Sequence, residues 1–472
     1  MFSNLFFIIT TLFTRFFGLK WGNGYFFHPD ENNMISAIRN FSANNLNPHF
    51  FAYGQFPLYL SYFTFGKNPY GLRIWSAIFS CLSILFFYFI SKNIFKKNYW
   101  IFLILLIFNP GFIQLAHFGT TESILIFVFT VNIYIALLLA KKLKYKYLFW
   151  AALVTGVGIA TKITAVIFIL PILFVIYKNL RSTIYYLIFT LVFSCAFSPY
   201  SIIANSEFFG TMTYETSVAT GKTLVFYTRQ FLDTVPYYFQ ITKIFPYVSG
   251  IVVFILGLLG ILKLNKKYFL FLLPALIYFL YTGQLFVKWT RFMSPVFFVF
   301  PFLATIFLIK IKSKLLCNIL IFLSIIPALI FMKIYIHDDI RIVASKYINV
   351  LPPSIIFSEG GNVMNIPLGH SYHEVTNFDF YELDAKKNDK ELYSYVSKSD
   401  YILVPSRRVF KNQNNSKFPL SQVYYSKLFS GDLGFKLEKT FKIKSSFLLN
   451  AENAEETWSV FDHPIIRIYE KK

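Results

Sequence analysis

The chain has 472 residues, 56% of them hydrophobic and 21% aromatic, with a mean hydropathy of +0.53. That composition excludes an ordinary soluble domain of this size and points to a multi-span membrane protein. The formal net charge is +22, but the lysines stand in short clusters between apolar runs rather than on one continuous basic face, so they describe topology and no nucleic-acid partner. Cys81, Cys195 and Cys317 lie inside apolar runs without a CxxC pair or a neighbouring His, which argues against a disulfide framework or a zinc site and leaves them as small buried hydrophobes.

The first apolar run, Phe2–Leu19, has the length of a signal peptide but neither a basic leader nor an Ala-x-Ala-like cleavage site, so it reads as a retained first span. A crossing needs about 20 apolar residues, with about 17 sufficing for a short one. On that rule further spans are expected near Leu72–Ser91, Tyr99–Leu115, Glu122–Ala140, Tyr147–Ala160, Ile163–Tyr177, Thr183–Ser198, Pro246–Leu262, Tyr268–Phe286, Phe292–Ile309 and Leu315–Lys333. This gives about eleven crossings. Counting connections alternately, one set contains the lysines at 92, 96, 97, 141, 142, 144, 146, 178, 263, 266, 267, 310, 312 and 314 with Arg181, and no carboxylate. Basic residues concentrate on the cytoplasmic side, so that set is inner. All six acids before Met332, namely Asp30, Glu31, Glu122, Glu207, Glu215 and Asp233, fall in or beside the other set, so chemistry is expected on the outer face of the cell membrane.

Two outer loops, 20–71 and 200–245, are long and aromatic, as expected of short helices lying on the membrane surface. The composition changes near Tyr335, so a membrane domain over 1–333 is followed by a soluble domain over 334–472. Its runs Ser354–Ser358, Tyr401–Pro405 and Ile465–Tyr469 are strand-like, and Lys390–Ser397 is helical. The fold class is an α-helical polytopic membrane protein with a small extracytoplasmic α/β domain.

Within the first outer loop, Phe27-His28-Pro29-Asp30-Glu31 sets two carboxylates side by side. Pro29 suits the first position of a helix and acids suit its first turn, so the pair can simply start a helix running to about Phe41. A carboxylate partly desolvated by Phe26 and Phe27 can equally accept a proton from an attacking hydroxyl. The two readings are compatible.

A short first span, an outer loop opening with His-Pro-Asp-Glu, then Asn47-Pro48 and Tyr53-Gly54-Gln55-Phe56-Pro57-Leu58-Tyr59 together resemble the GT-C membrane glycosyltransferases. The likeness is to the branch of protein O-mannosyltransferases and the bacterial lipid A aminoarabinose transferase. It implies Asp30 as the general base and Glu31 as its neighbour in acceptor or donor binding. His117-Phe118-Gly119-Thr120-Thr121-Glu122 stands where the family has a second acid, more often Asp, so Glu122 joins the catalytic set; its structural reading is a helix start capped by Thr120 or Thr121. Gly158-Ile159-Ala160-Thr161-Lys162 resembles the segment whose lysine approaches the donor phosphate, and a lysine at a span end can also merely snorkel. Arg291, in Trp289-Thr290-Arg291-Phe292-Met293-Ser294-Pro295, matches an Arg-aromatic-x-x-Pro pattern and can grip a phosphate with two parallel hydrogen bonds, or anchor the interface beside Trp289.

Arg229, in Tyr227-Thr228-Arg229-Gln230-Phe231, is a third phosphate candidate, and His28, Tyr53, Gln55 and Glu215 are candidates for holding acceptor or sugar. The run Glu455–Pro464 also resembles bacterial members, with His463 read as structural. The resemblance implies a polyprenyl-phosphate sugar lipid as donor and an inverting single displacement onto an acceptor hydroxyl of protein, lipid or polysaccharide. A cationic clamp can replace a metal on a monophosphate, and a requirement for a divalent metal stays open; His373-Glu374 alone has too few ligands for a site. The rival readings are a ligase or polymerase of lipid-linked oligosaccharide, and a transporter or flippase. The latter should carry ionisable or helix-breaking residues near mid-membrane and often an internal repeat.

Overall fold

A computed structural model describes residues 2–360, 365–368, 372–414 and 416–472. The first helix, Phe2–Phe16, is followed by loops and two short helices, Pro29–Arg39 and Phe56–Phe65. The next helix, Gly71–Phe95, and Tyr99–Ile107 are joined by a sharp turn at Lys96, whose φ is +51°. The rings of Phe87 and Phe102 lie 5.7 Å apart, and those of Tyr88 and Tyr99 5.5 Å. A straight helix rising 1.5 Å per residue would hold Phe87 and Phe102 about 22 Å apart, so this stretch is a hairpin rather than one long rod.

Among the described residues four helical stretches are long and apolar enough to cross a membrane: the Gly71–Ile107 hairpin taken as one run, Glu122–Lys141, Leu180–Phe197 and Lys314–Ile336. Thr290–Val296 and Val299–Leu308, bent by 48° at their break, make a fifth if joined. The expected eleven spans are not reached by this measure, and the local chemistry explains why. Asn109-Pro110 splits the third expected span, and its Asn109 side chain caps the new helix at Phe112 N. The expected Ile163–Tyr177 span divides into a 3₁₀ segment, Ile163–Ile169, and a short helix with Pro171 in its first turn. The expected spans at 246–262 and 268–286 give helices of 11 and 15 residues. A large apolar core, rich in phenylalanine, runs through the bundle, with smaller clusters around Leu139 and Leu148 and around the first long loop.

The C-terminal domain holds a five-stranded sheet of β1 (Ile355–Glu359), β2 (Glu374–Phe378), β3 (Tyr401–Val404), β4 (Phe435–Phe441) and β5 (Ile466–Lys471), in the order β2-β1-β3-β5-β4. β1 is parallel to β2 and β3, whereas β5 runs antiparallel to β3 and β4. Alternate side chains serve opposite faces. Phe357, Ile402 and Val404 meet helices Phe380–Lys386 and Pro419–Ser430, while Ile356, Leu403 and Ile468 meet helix Ile340–Ile348. The three expected strands match β1, β3 and β5, and the expected helix is Asp389–Lys398. β2 and β4 were not expected; they are the two edges, and their largely solvent-facing polar residues lack an apolar run. Between β4 and β5 the chain leaves the sheet, and Ala454, Trp458, Val460 and Phe461 pack into the core of the helical bundle.

Candidate active site

Pro29 takes the first position of helix Pro29–Arg39, and Asp30 and Glu31 fill its first turn. Successive residues on a helix point about 100° apart, so the two carboxylates diverge. Glu31 turns inward and is fully buried. Arg73 grips it with Nε donating to Oε1 (2.6 Å) and Nη2 to Oε2 (2.9 Å), while the Gly119 N–H donates to Oε1 (3.0 Å). Arg73 Nη1 donates to the carbonyls of Leu19 (2.9 Å) and Trp21 (2.8 Å), and its guanidinium lies 4.4 Å from the Trp21 ring centre and 4.9 Å from that of Phe26. Glu31 therefore pins the first loop to the Gly71–Phe95 helix. The expected place for Glu31 beside a substrate is not what this geometry offers.

Asp30 turns the other way, into a cavity of about 750 Å³. Its carboxylate forms an ion pair with Arg291 Nη1, and His28 Nδ1 stands 3.8 Å from Oδ2. His28 is buried between the rings of Phe118 and Phe461, at 4.8 and 4.4 Å. Burial, reinforced by the cations Arg291, Arg73 and Arg408, pushes its imidazole well below 6.5, so it is neutral at physiological pH. The cavity is lined by three carboxylates, Asp30, Glu215 and Glu456, and by three cations, Lys162, Arg291 and Arg408. Aromatic walls come from Phe50, Tyr53, Tyr227 and Trp289.

Lys162 ends helix Tyr145–Thr161 and does not snorkel outward: its Nζ lies 5.2 Å from the ring centre of Tyr53 and 4.8 Å from that of Phe292. Glu122 sits behind it, buried, with Oε1 3.8 Å from Nζ. Neither Thr120 nor Thr121 caps the helix that Glu122 begins; the Thr121 hydroxyl donates to Glu122 Oε1 at 3.3 Å instead. Glu122 thus supports Lys162 and does not line the cavity. Glu215 lines it from helix Asn205–Ala219, and burial raises its carboxyl while Lys162 draws it back.

Two candidates lie elsewhere. Arg229 does not reach the cavity; its Nη2 donates to the Tyr381 carbonyl (2.9 Å) and its guanidinium covers the ring of Phe418 at 4.7 Å, tying the second long loop to the C-terminal domain. The Gln55 Oε1 accepts from Tyr200 N (3.0 Å) and Tyr59 Oη (3.1 Å), so it joins the two long loops rather than facing a ligand. Among the described residues no group of three or more His, Cys, Asp or Glu side chains could hold a metal ion.

The cavity wall supplied by the C-terminal domain was not read from the sequence. Arg408 Nε lies 2.8 Å from Glu456 Oε1, Asn412 donates to Glu456 Oε2, and Glu456, Thr457 and Phe461 line the cavity together with Asp30 and Arg291. Behind them Asp462 accepts from Tyr335 Oη (2.8 Å), Gln114 Nε2 (3.1 Å) and His463 Nδ1 (2.6 Å), which gives His463 the structural place expected for it. The run Glu455–Pro464 was recognisable, but a charge pair between residues 408 and 456 carries no local spacing by which a sequence reveals it.

Residues 54–203 match the family described as dolichyl-phosphate-mannose-protein mannosyltransferase, a stretch that includes Glu122 and Lys162 but neither Asp30 nor Arg291. The fold is similar to that of ArnT from Cupriavidus metallidurans bound to undecaprenyl phosphate, with a TM-score of 0.52 and 14% identity over 91% of this chain and 76% of that one. The apo state of the same protein gives a TM-score of 0.53 and 14% identity over 91% and 75%. No curated protein matches the sequence. The chain thus carries a stretch, residues 54–203, that matches a mannosyltransferase family, and over most of its length its fold is similar to that of ArnT.

Proposed function

We propose that this protein transfers a sugar from a polyprenyl-phosphate donor to an acceptor hydroxyl on the outer face of the membrane, with the shorter apolar helices completing a bundle of about eleven crossings. The observation that carries the reading is Asp30, paired with Arg291 in a cavity that Lys162 also lines. The acceptor oxygen attacks the anomeric carbon as the bond from that carbon to the phosphate oxygen breaks. Asp30 takes the hydroxyl proton, and the lipid monophosphate leaves with the bonding pair, its charge met by Arg291 and Lys162. One displacement inverts the anomeric centre. The ion pair suits this order of events, because a phosphate that draws Arg291 toward itself releases the Asp30 carboxylate to act as base. His28, neutral beside Asp30, adds no competing charge. Glu215 and Tyr53, on the walls, are placed to hold sugar or acceptor hydroxyls. The similar ArnT structure with undecaprenyl phosphate supports a lipid-phosphate donor for this fold.

The test is transfer of label from a panel of polyprenyl-phosphate sugars in membranes. Asp30→Asn is expected to lower turnover by about 10²–10⁴-fold while a sugar-free polyprenyl monophosphate still binds, because general-base help has that size. Arg291→Ala is expected to lower both. Near-normal transfer by Asp30→Asn removes Asp30 as the base; no transfer from any sugar by folded wild-type protein turns the reading toward oligosaccharide ligation or transport.

A further inference from the structure

The helix bearing Arg291 begins without a local cap. Trp289 precedes Thr290–Val296 and offers no side-chain acceptor, so the first N–H groups of this 3₁₀ segment need one from elsewhere. The acceptor comes from the far end of the sequence. Glu455 Oε2 accepts from Thr290 N (2.9 Å), from Thr457 N (3.2 Å) and from the Thr457 hydroxyl, while Oε1 accepts from Gln230 Nε2 (2.9 Å). The Gln230 carbonyl oxygen accepts in turn from Glu456 N (3.2 Å), so one side-chain amide grips two consecutive residues of the tail.

Glu455 is 1% exposed and does not line the cavity, which excludes direct contact with substrate. Every hydrogen bond its carboxylate accepts runs to the segment carrying Arg291, to the loop carrying Gln230, or to its own turn, while its backbone N–H donates to the Lys243 carbonyl (3.1 Å). Together with Glu456 it also supplies negative potential at Arg291. A buried carboxylate held only by uncharged donors is a costly feature to keep for packing alone.

We propose that Glu455 is a positioning residue for Arg291. By accepting the Thr290 N–H it fixes the turn from which the guanidinium projects, and so makes seating of residues 455–457 a condition for gripping the donor phosphate. This rests on the functional reading above. It predicts that loosening the tail weakens phosphate binding although residues 455–457 do not themselves grip the phosphate. It also makes the C-terminal domain a working part of the donor site.

The experiment uses the full chain in detergent with a sugar-free polyprenyl monophosphate as probe, comparing wild type, Glu455→Ala, Glu455→Gln, Arg291→Ala and the double variant Glu455→Ala with Arg291→Ala. Glu455→Ala is expected to weaken binding about tenfold or more, the scale of losing a hydrogen bond to a charged group. Glu455→Gln keeps one oxygen acceptor and should lose less. Amide hydrogen exchange at Thr290 should quicken in both, and the double variant should bind no worse than Arg291→Ala. If Glu455→Ala does not fold, Glu455→Gln carries the same comparison. Unchanged binding and unchanged exchange at Thr290 in the residue-455 variants, with binding weakened in Arg291→Ala, overturn this inference and leave the functional reading standing. Additive losses in the double variant also overturn it, since Glu455 would then act independently of Arg291. Folded wild-type protein that binds no probe removes the functional reading and this inference with it.

Discussion

At the scale of single residues, the adjacent acids Asp30 and Glu31 have opposite fates, and the helix turn between them is the cause. The sequence shows two carboxylates at a helix start, and it cannot show that one faces a cavity while the other is consumed by Arg73. Removing one member of a buried pair costs about 3–5 kcal/mol, because the other charge is left without compensation. Glu31→Gln and Arg73→Met are therefore expected to lower the melting temperature in detergent markedly, whereas Asp30→Asn leaves it nearly unchanged. A Glu31→Gln protein that melts normally but has lost turnover would return Glu31 to the chemistry. Arg73 and Arg15 carry a signal legible in the sequence, since each is an arginine in or beside an apolar run and such residues need partners. Both are fully buried, and Arg15 donates to Ser80 Oγ (3.0 Å) and to the carbonyls of Leu106 (3.1 Å) and Ile107 (2.9 Å).

At the scale of elements, the placing of Lys162 depends on how closely the first long loop approaches the end of helix Tyr145–Thr161. Gly54 N donates to Thr161 O at 2.9 Å, and a Cβ at Gly54 would stand 2.0 Å from the Ala160 carbonyl oxygen. Both neighbours are backbone and cannot swing aside. Gly54→Ala is expected to cost about 1–3 kcal/mol, the range for overpacking, and to raise the donor KM by displacing Lys162. Melting temperature and steady-state kinetics check the two halves separately, and an unchanged KM would detach Lys162 from that contact. The glycine was visible inside Tyr53–Tyr59, but its reason was not, because the approach joins residues far apart in sequence. Helices were legible wherever an apolar run continued unbroken, as over Glu122–Lys141. They were misjudged where proline or asparagine divides a run, because hydropathy sums over a break that backbone hydrogen bonding cannot cross.

At the scale of the whole molecule, the change of composition near Tyr335 revealed a second domain but not its return to the bundle, since the returning residues 454–461 have no apolar run long enough to stand out. The sheet carries its own buried acid. Glu359, at the end of β1, accepts from Tyr425 Oη (2.6 Å), and burial pushes its carboxyl up to about 8 from an ordinary 4.5. Between those values the folded chain holds a proton that the unfolded chain has released, so stability falls as pH rises through the window and levels off above about 8. The slope is at most about 1.4 kcal/mol per pH unit. Glu359→Gln is expected to flatten it, read as hydrogen exchange of β1 at pH 5 and pH 8; an equally steep profile in the variant would place the dependence on another group. The return of residues 454–461 has a further consequence, in time. Asp30 and Glu456 line one cavity, yet nearly the whole chain is synthesised between them. With about 5–20 residues added each second, the first loop waits roughly tens of seconds before the last lining residues of its cavity leave the ribosome. Maturation of the site is therefore a late event of biogenesis, and a nascent chain stalled before residue 455 would be inserted in the membrane yet inert.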